Sequence, residues 1–293
     1  MQLLCEPRTA LSCPLCQSPS RRRFAKDSIW IRDCLCCDHR FAEFELSEGH
    51  VESTYSDEYF FGGGAGYSDY TSESDILRSH GRRYAQIIEP FVAPGELLDV
   101  GAAAGFVMRG FIDAGWNGIG IEPNARMAKL ARDELGLEVH AATIEEFAPD
   151  RRFDLVTMIQ VIAHFPEPRA ALEVVANLTR PGGFCLVETW NRASLTARVF
   201  GKSWHEYSPP SVLHWFSRSS LRLLLANSGF HEVASGRPVK RLNAAHAKSL
   251  LSHKWKDSRL GRMATRLANL APDAMPIPYP AEDLIWSLFQ RTY

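Results

Sequence analysis

Glu122 ends a short apolar run, Ile119-Gly120-Ile121, and an earlier run, Leu97-Leu98-Asp99-Val100, leads into a glycine turn, Gly101-Ala-Ala-Ala-Gly105. A helical pattern lies between them. Strand, glycine turn, helix, strand, acid is an order that binds a ribose-bearing cofactor at the carboxyl ends of parallel strands. The residue types suit that chemistry. A turn of small residues lets backbone N–H groups approach a ligand, and a carboxylate accepts from two neighbouring ribose hydroxyls. Charge-assisted bonds of this kind contribute about 1.5–3 kcal/mol each.

Cysteine spacing offers a second chemistry. Cys13-Pro-Leu-Cys16 precedes Cys34-Leu-Cys36-Cys37, and taking Cys34 and Cys37 gives C-x2-C-x17-C-x2-C, the spacing of a structural zinc site. Two knuckles of two thiolates close a tetrahedron and leave no open position for catalysis. Cys36 or His39 can replace one of the four. Residues 21–24 and 28–32 flank Ala25-Lys26-Asp27, a hairpin-like interval. So short a unit has too little core to fold unaided, and a bound metal supplies the missing stability. The unit resembles a zinc ribbon.

The 101–105 turn resembles motif I of the class I S-adenosylmethionine-dependent methyltransferases, D/E-x-G-x-G-x-G. Asp99, Gly101, Ala103 and Gly105 occupy its acid and three glycine positions, with alanine at the middle glycine. A dinucleotide turn places its glycines differently, as G-x-G-x-x-G. Further family motifs follow in order. Phe153-Asp154-Leu155-Val156 resembles the opening of the fourth strand. Val161-Ile-Ala-His164-Phe-Pro166 resembles V-L-E-H-L-x-(D)-P, with Ala163 in place of glutamate. Leu178-Thr-Arg-Pro-Gly-Gly183 resembles L-K-P-G-G before a fifth strand at 184–188, and His214-Trp-Phe-Ser217 resembles H-L-x-x-F-S before a helix at 219–228. The resemblance covers about residues 70–235.

It implies an α/β fold: a doubly wound, seven-stranded Rossmann-like sheet of order 3-2-1-4-5-7-6 with strand seven antiparallel. It also implies roles. S-adenosylmethionine would lay its methionine end on the 101–105 turn, with Glu122 on the ribose. Adenine would sit between Pro123 and the Thr143-Ile144 loop, and Gln160 would face the transferable methyl. Arg78, Arg82 and Arg83 would supply partners for the cofactor carboxylate. The chemistry is an in-line displacement at a sulfonium methyl, and an oxygen acceptor benefits from a general base. His164 and His214 are the candidate catalytic residues, with His205 behind them and Glu188 or Tyr207 as other acceptor contacts.

Five stretches order the chain: a zinc-ribbon module at 1–47, an aromatic and glycine-rich lid or linker at 48–74, the cofactor-binding core at 75–236, a basic helical insertion at 237–275, and a last strand at 276–293. The lid contains Tyr55, Tyr59, Tyr67 and Tyr70 around a glycine cluster, and a helix of roughly 75–90 follows the capping candidates Ser72 and Ser74. Residues 237–268 hold nine Lys or Arg against one acid, Asp257, with an imperfect helical stripe beginning at Leu242. That segment reads as helices with a solvated basic face, or as a surface for a phosphorylated or nucleotide-linked acceptor, a peripheral contact with anionic membrane, or RNA.

The 293 residues are enough for one doubly wound domain plus appendages, and 45% are hydrophobic. No apolar run reaches the ~18 residues of a membrane span, and the first residues have too short an apolar stretch for a signal peptide. A formal charge of −1 creates no general attraction for nucleic acid. A cytoplasmic enzyme methylating a small molecule (a sugar, glycan intermediate or secondary metabolite, at oxygen) is the expectation. Two alternatives remain. Ribosomal RNA guanine methyltransferases also carry a four-cysteine module opening C-P-L-C, and Ala103 with Ala163 is compatible with a decayed, non-catalytic domain whose ribbon docks on a protein.

Overall fold

The computed structural model describes residues 11–45, 47, 49–62, 70–243, 276–279 and 281–292. Three short strands open it: β1 (Ser20–Lys26), β2 (Ile29–Cys34) and β3 (Arg40–Glu43), paired antiparallel in sequence order. The β1–β2 hairpin turns on Asp27 and Ser28, both left-handed at φ 47° and 66°. A two-residue turn of that hand matches the strand twist, and Asp tolerates it through its short polar side chain. Leu15, Ile31 and Phe41 make a small buried core, and Glu43 is clamped by Arg22 and Arg32.

Two five-residue helices follow, α1 (His50–Thr54) and α2 (Asp57–Phe61), and then a 3-10 turn at Tyr70–Glu73 leads into α3 (Ser74–Ile88). Neither Ser72 nor Ser74 caps α3. Its N-cap is Glu73, without a side-chain cap bond, because the 3-10 turn runs directly into the helix. Beyond it the chain alternates: β4 (Glu96–Val100), α4 (Phe106–Asp113), β5 (Asn117–Ile121), α5 (Ala125–Leu135), β6 (Val139–His140), β7 (Phe153–Ile159), α6 (Pro168–Leu178) and β8 (Thr179–Trp190). Then come α7 (Leu195–Phe200), β9 (His214–Trp215), α8 (Arg218–Asn227), β10 (Phe230–Gly236), β11 (Lys240–Asn243), β12 (Pro276–Tyr279) and β13 (Leu284–Arg291).

Seven strands form one sheet in the order β6-β5-β4-β7-β8-β13-β10. All pairs are parallel except those of β13, which runs antiparallel to both neighbours. This is the order expected from the family resemblance. Leu97, Leu98 and Val100 are buried, as are Leu155 and Val156, because helices cover both faces of a parallel sheet. The strands therefore read as unbroken apolar runs rather than alternations.

Two expectations change here. The ribbon is not closed within residues 1–47: β9 pairs with β3, so the first sheet has four strands, one of them delivered from the core. Leu213 joins the two units, accepting from the Ala42 N–H at 2.9 Å and donating to the Ala163 carbonyl at 3.0 Å. At the other end β11 pairs antiparallel with β12, so Leu242 lies on a strand where the sequence pattern suggested a helix. The remainder of the basic segment, 244–275, lies outside the described residues. Among the described residues no helix is long and apolar enough to cross a membrane.

Candidate active site

The turn after β4 is tied to the end of β5. Gly101 and Ala102 both donate their N–H to the Ile121 carbonyl at 2.9 Å. Three residues of the turn are left-handed: Gly101 at φ 70°, Ala103 at 47° and Gly105 at 77°. For alanine that conformation costs about 1–2 kcal/mol. Glu122 offsets the strain, its Oε2 accepting the Ala103 N–H at 2.9 Å. Gly105 caps α4 so closely that an added Cβ would lie 2.6 Å from Leu137 Cδ1.

Glu122 is itself buried, and its Oε1 accepts the Asn124 N–H at 2.9 Å. Burial pushes its pKa up, and the two N–H donors pull against that. Asn124 does two further jobs. Its side chain caps α5 at Met127, and its Nδ2 donates to the Tyr55 carbonyl at 3.0 Å and to Asp57 at 3.1 Å. The acidic end of β5 is thereby fastened to the aromatic segment.

These elements line a cleft at the carboxyl edge of the sheet. Gly101, Ala103, Glu122 and Pro123 form one wall, and Thr143 and Ile144 the adjoining end. Tyr55, Tyr59, Phe60 and Tyr70 cover it, and Gln160, Val161 and His164 close the far side. Thr143 bonds Glu146 through both its N–H and its hydroxyl, at 3.0 and 3.1 Å, so it caps the local turn while facing the cleft. His164 is half-buried, with Nδ1 2.6 Å from the Ser211 carbonyl and 2.9 Å from the Tyr55 hydroxyl, which donates to that same carbonyl. Burial holds its pKa below the ordinary value.

Residues 76–235 match the family described as "Methyltransferase domain". The chain belongs to it. Among curated relatives of this methyltransferase, the ubiquinone biosynthesis O-methyltransferase of Rhodopseudomonas palustris (strain BisB5) is 35% identical over 131 residues, 42% of this chain and 49% of that protein. The protein of the same name from Alkalilimnicola ehrlichii is 29% identical over 186 residues, 56% of this chain and 75% of that one. The chain thus spans about half the length of the first relative. Two solved structures share the fold. A Thermotoga maritima S-adenosylmethionine-dependent methyltransferase superposes with a TM-score of 0.52 at 19% identity, over 84% of this chain and 100% of that one. The Burkholderia thailandensis 1,6-didemethyltoxoflavin-N1-methyltransferase, with its substrate and S-adenosylhomocysteine bound, gives 0.53 at 16% identity, over 93% and 100%.

Several residues singled out in the methyltransferase sequence lie elsewhere. Asp99 sits beneath the turn, outside the cleft lining, where Thr157 donates to it at 2.6 Å and burial raises its pKa to about 7. His214 is displaced from the cleft altogether. It lies on β9 in the ribbon sheet, its Nδ1 3.1 Å from His39 Nε2, and burial drives its pKa down to about 4. Arg78 and Arg82 pair with Asp113 on α4, and Arg83 is exposed away from the cleft. His205 meets Trp190 edge-on and faces Glu206, and Tyr207 packs on Phe24 of the ribbon. Tyr67 and most of the glycine cluster lie outside the described residues. Asn124 went unread in the sequence, although an Asn directly before a helical pattern is a cap signal.

The four thiols chosen from spacing do converge. Sγ atoms of Cys13, Cys16, Cys34 and Cys37 lie within 4.8 Å of one another. Backbone N–H groups point at two of them: Leu15 at Cys13 Sγ, 3.4 Å, and Cys36 and Cys37 at Cys34 Sγ, 3.3 and 3.4 Å. Such donors stabilise thiolates, and a closed set of four sulfurs fits a tetrahedral ion. Cys36 is exposed, and His39 is occupied by His214, so neither competes for the site.

Proposed function

We propose that the protein transfers the methyl group of S-adenosylmethionine to an oxygen of a small-molecule acceptor. One observation carries the cofactor: a buried carboxylate, Glu122, faces a cleft floored by a left-handed turn of small residues and covered by aromatic rings. Each Glu122 oxygen takes a single N–H donor in the fold and keeps capacity for a ribose hydroxyl. A Cβ on Gly101 or Gly105 would strike Val161 or Leu137, so the left-handed turn keeps glycine at both positions. Thr143 and Ile144 would meet the adenine edge and face, and Gln160 the methionine end. When bound, the cofactor supplies an activated methyl on a sulfonium sulfur.

The remaining work is positioning and proton removal. Orientation alone lowers a barrier by about 7–11 kcal/mol. His164 is the proposed base. Its Nδ1 lies against the Ser211 carbonyl, an acceptor only, so Nδ1 carries the proton of the neutral ring and Nε2 is the nitrogen that would take one. Burial keeps the ring neutral near pH 7, the state a base requires. Relatives named as O-methyltransferases support oxygen as the acceptor atom. The cleft is concave and mostly apolar, as small-molecule sites are, and the near balance of charge favours neither RNA nor any other polyanion. A sugar, a glycan intermediate or a secondary metabolite all fit that description. We assign a structural zinc to the four-cysteine cluster and place the enzyme in a reducing compartment, the cytoplasm, where thiols serve as ligands.

Calorimetric titration with S-adenosylmethionine and S-adenosylhomocysteine tests the reading. Glu122→Ala should weaken both by about 100-fold, the loss of roughly 3 kcal/mol of ribose bonding. Glu122→Gln, which preserves the packing, should show a smaller loss in the same direction. Folded wild-type protein that binds neither ligand overturns the proposal.

A further inference from the structure

Glu188 lies near the end of the buried part of β8, at the carboxyl edge of the sheet, and is 0% exposed. Its Oε1 takes two donors, Lys240 Nζ at 2.8 Å and Gln160 Nε2 at 2.9 Å. Its Oε2 has no partner among the described residues. Lys240 comes from β11, at the entrance to the C-terminal insertion, and its ammonium also lies 5.8 Å from the Tyr84 ring centre. A solvated basic face is one of the readings the sequence allows for this segment. Lys240 is drawn inward instead, with its side chain only 11% exposed.

Gln160 is pinned to Glu188 twice, by its side-chain amide and by its backbone N–H, which donates to the Glu188 carbonyl at 2.8 Å. It also holds φ 60°, a left-handed conformation costing a non-glycine residue about 1–2 kcal/mol. Strain held in place by two bonds beside a cleft is the mark of a positioned group.

An amide has two different ends. An ammonium only donates, and an ionised carboxylate only accepts. With Lys240 against it, Glu188 is an acceptor, and Gln160 must turn its NH2 that way. The Gln160 carbonyl oxygen is then the end left for the cleft it lines. Burial pushes the Glu188 pKa up even beside Lys240, whose charge pulls the other way, so removing Lys240 leaves the upward push unopposed. A protonated Glu188 offers an O–H, and the amide can turn its NH2 into the cleft.

We propose that Lys240, acting through Glu188, is a positioning residue that fixes the Gln160 carbonyl towards the methyl-transfer end of the cleft and so favours the cationic methyl donor over its neutral product. The inference rests on the methyl-transfer reading of the cleft. S-adenosylmethionine and S-adenosylhomocysteine share their nucleoside and amino-acid parts and differ by one methyl and the charge on sulfur. A carbonyl dipole attracts that charge, and an NH2 group opposes it.

The test is titration of both ligands into wild type, Lys240→Met, Glu188→Gln and the double variant, with thermal midpoints to establish folding. Lys240→Met should lower the preference for S-adenosylmethionine over S-adenosylhomocysteine by about tenfold. Glu188→Gln should retain most of it, because an amide oxygen in the Oε1 position still accepts from both Lys240 and Gln160. The double variant should fall less than Lys240→Met alone, since an amide cannot take up the proton that turns Gln160 over. Lys240→Arg keeps a donor-only cation and should retain the wild-type preference. A folded Lys240→Met protein with an unchanged preference, or with both ligands weakened equally, overturns the inference and leaves the cofactor site standing. So does a tenfold fall in Lys240→Arg. Binding of neither ligand by wild type overturns both.

Discussion

Gly101→Ala should destabilise the protein far more than its single added methyl suggests. Gly101 sits at φ 70°, where an alanine costs about 1–2 kcal/mol. Its new Cβ would also lie 2.5 Å from Val161 Cγ2 and 3.3 Å from Cγ1. Valine is stiff about its first side-chain torsion, so the contact is relieved by moving backbone, and overpacking of that kind costs about 1–3 kcal/mol. Together these give about 2–5 kcal/mol, or a fall of roughly 5–15 °C in the unfolding midpoint for a chain of this size. The neighbouring Ala103→Gly is the control. It relieves the strain of φ 47° at a residue already left-handed. Against that gain stand about 0.5–1 kcal/mol of unfolded-chain entropy and about 0.8 kcal/mol for a buried methyl. The three terms cancel to within about 1 kcal/mol. Urea unfolding of both variants measures the difference, and ligand titration follows the cleft wall, because Val161 lines it. Gly101→Ala within about 1 kcal/mol of wild type would refute the argument, as would Ala103→Gly proving the more damaging change.

Elemental analysis should find one zinc per chain. Cys13→Ser should lower both zinc content and the unfolding midpoint, while Cys36→Ser, exposed and outside the cluster, should change neither; full zinc retention in Cys13→Ser would contradict the assignment. A pH dependence should follow from Asp99, whose pKa rises from 3.8 to about 7 on burial. A raised acid binds more protons folded than unfolded, so its contribution is full below the unfolded value and is lost as pH rises towards the folded one. Wild-type stability should therefore decline between about pH 4 and 7 relative to Asp99→Asn. Parallel urea-unfolding profiles for the two proteins across that window would rule Asp99 out as the cause.

Local information was legible in the sequence, and side-chain direction over long range was not. Glu122 and the 101–105 turn are specified within one strand-turn-helix-strand unit, and the four thiols lie within one short module, so spacing alone places them. Sheet order follows from alternating elements, because parallel crossovers keep one hand. His214 shows where this stops. It meets His39 across 175 residues, and no local pattern reports that a strand from the core will complete the ribbon. The arginines of α3 fail for a different reason, the rotation of the helix about its axis. Gly81 and Gly110 let α3 and α4 touch through their backbones: a Cβ on Gly81 would fall 2.0 Å from the Val107 carbonyl, and one on Gly110 2.2 Å from the Arg78 carbonyl. That contact sets Arg78 and Arg82 over Asp113 and turns His80 and Tyr84 towards the sheet. The two helical glycines were the available signal, since glycine inside a helical pattern costs about 1 kcal/mol and is retained for close packing.

The same long-range logic brings the two appendages to the side of the cleft lined by His164 and Gln160. On one side β3 of the ribbon takes β9 from the core, and Leu213 links Ala42 to Ala163, beside the Ser211 carbonyl that orients His164. On the other side β11 brings Lys240 to Glu188, which holds Gln160. The cofactor end needs neither, because Glu122, Asn124 and the turn support one another within the sheet. A change in the ribbon or in the insertion should therefore reach His164 and Gln160 before it reaches Glu122, even though both segments look, along the chain, like separate modules.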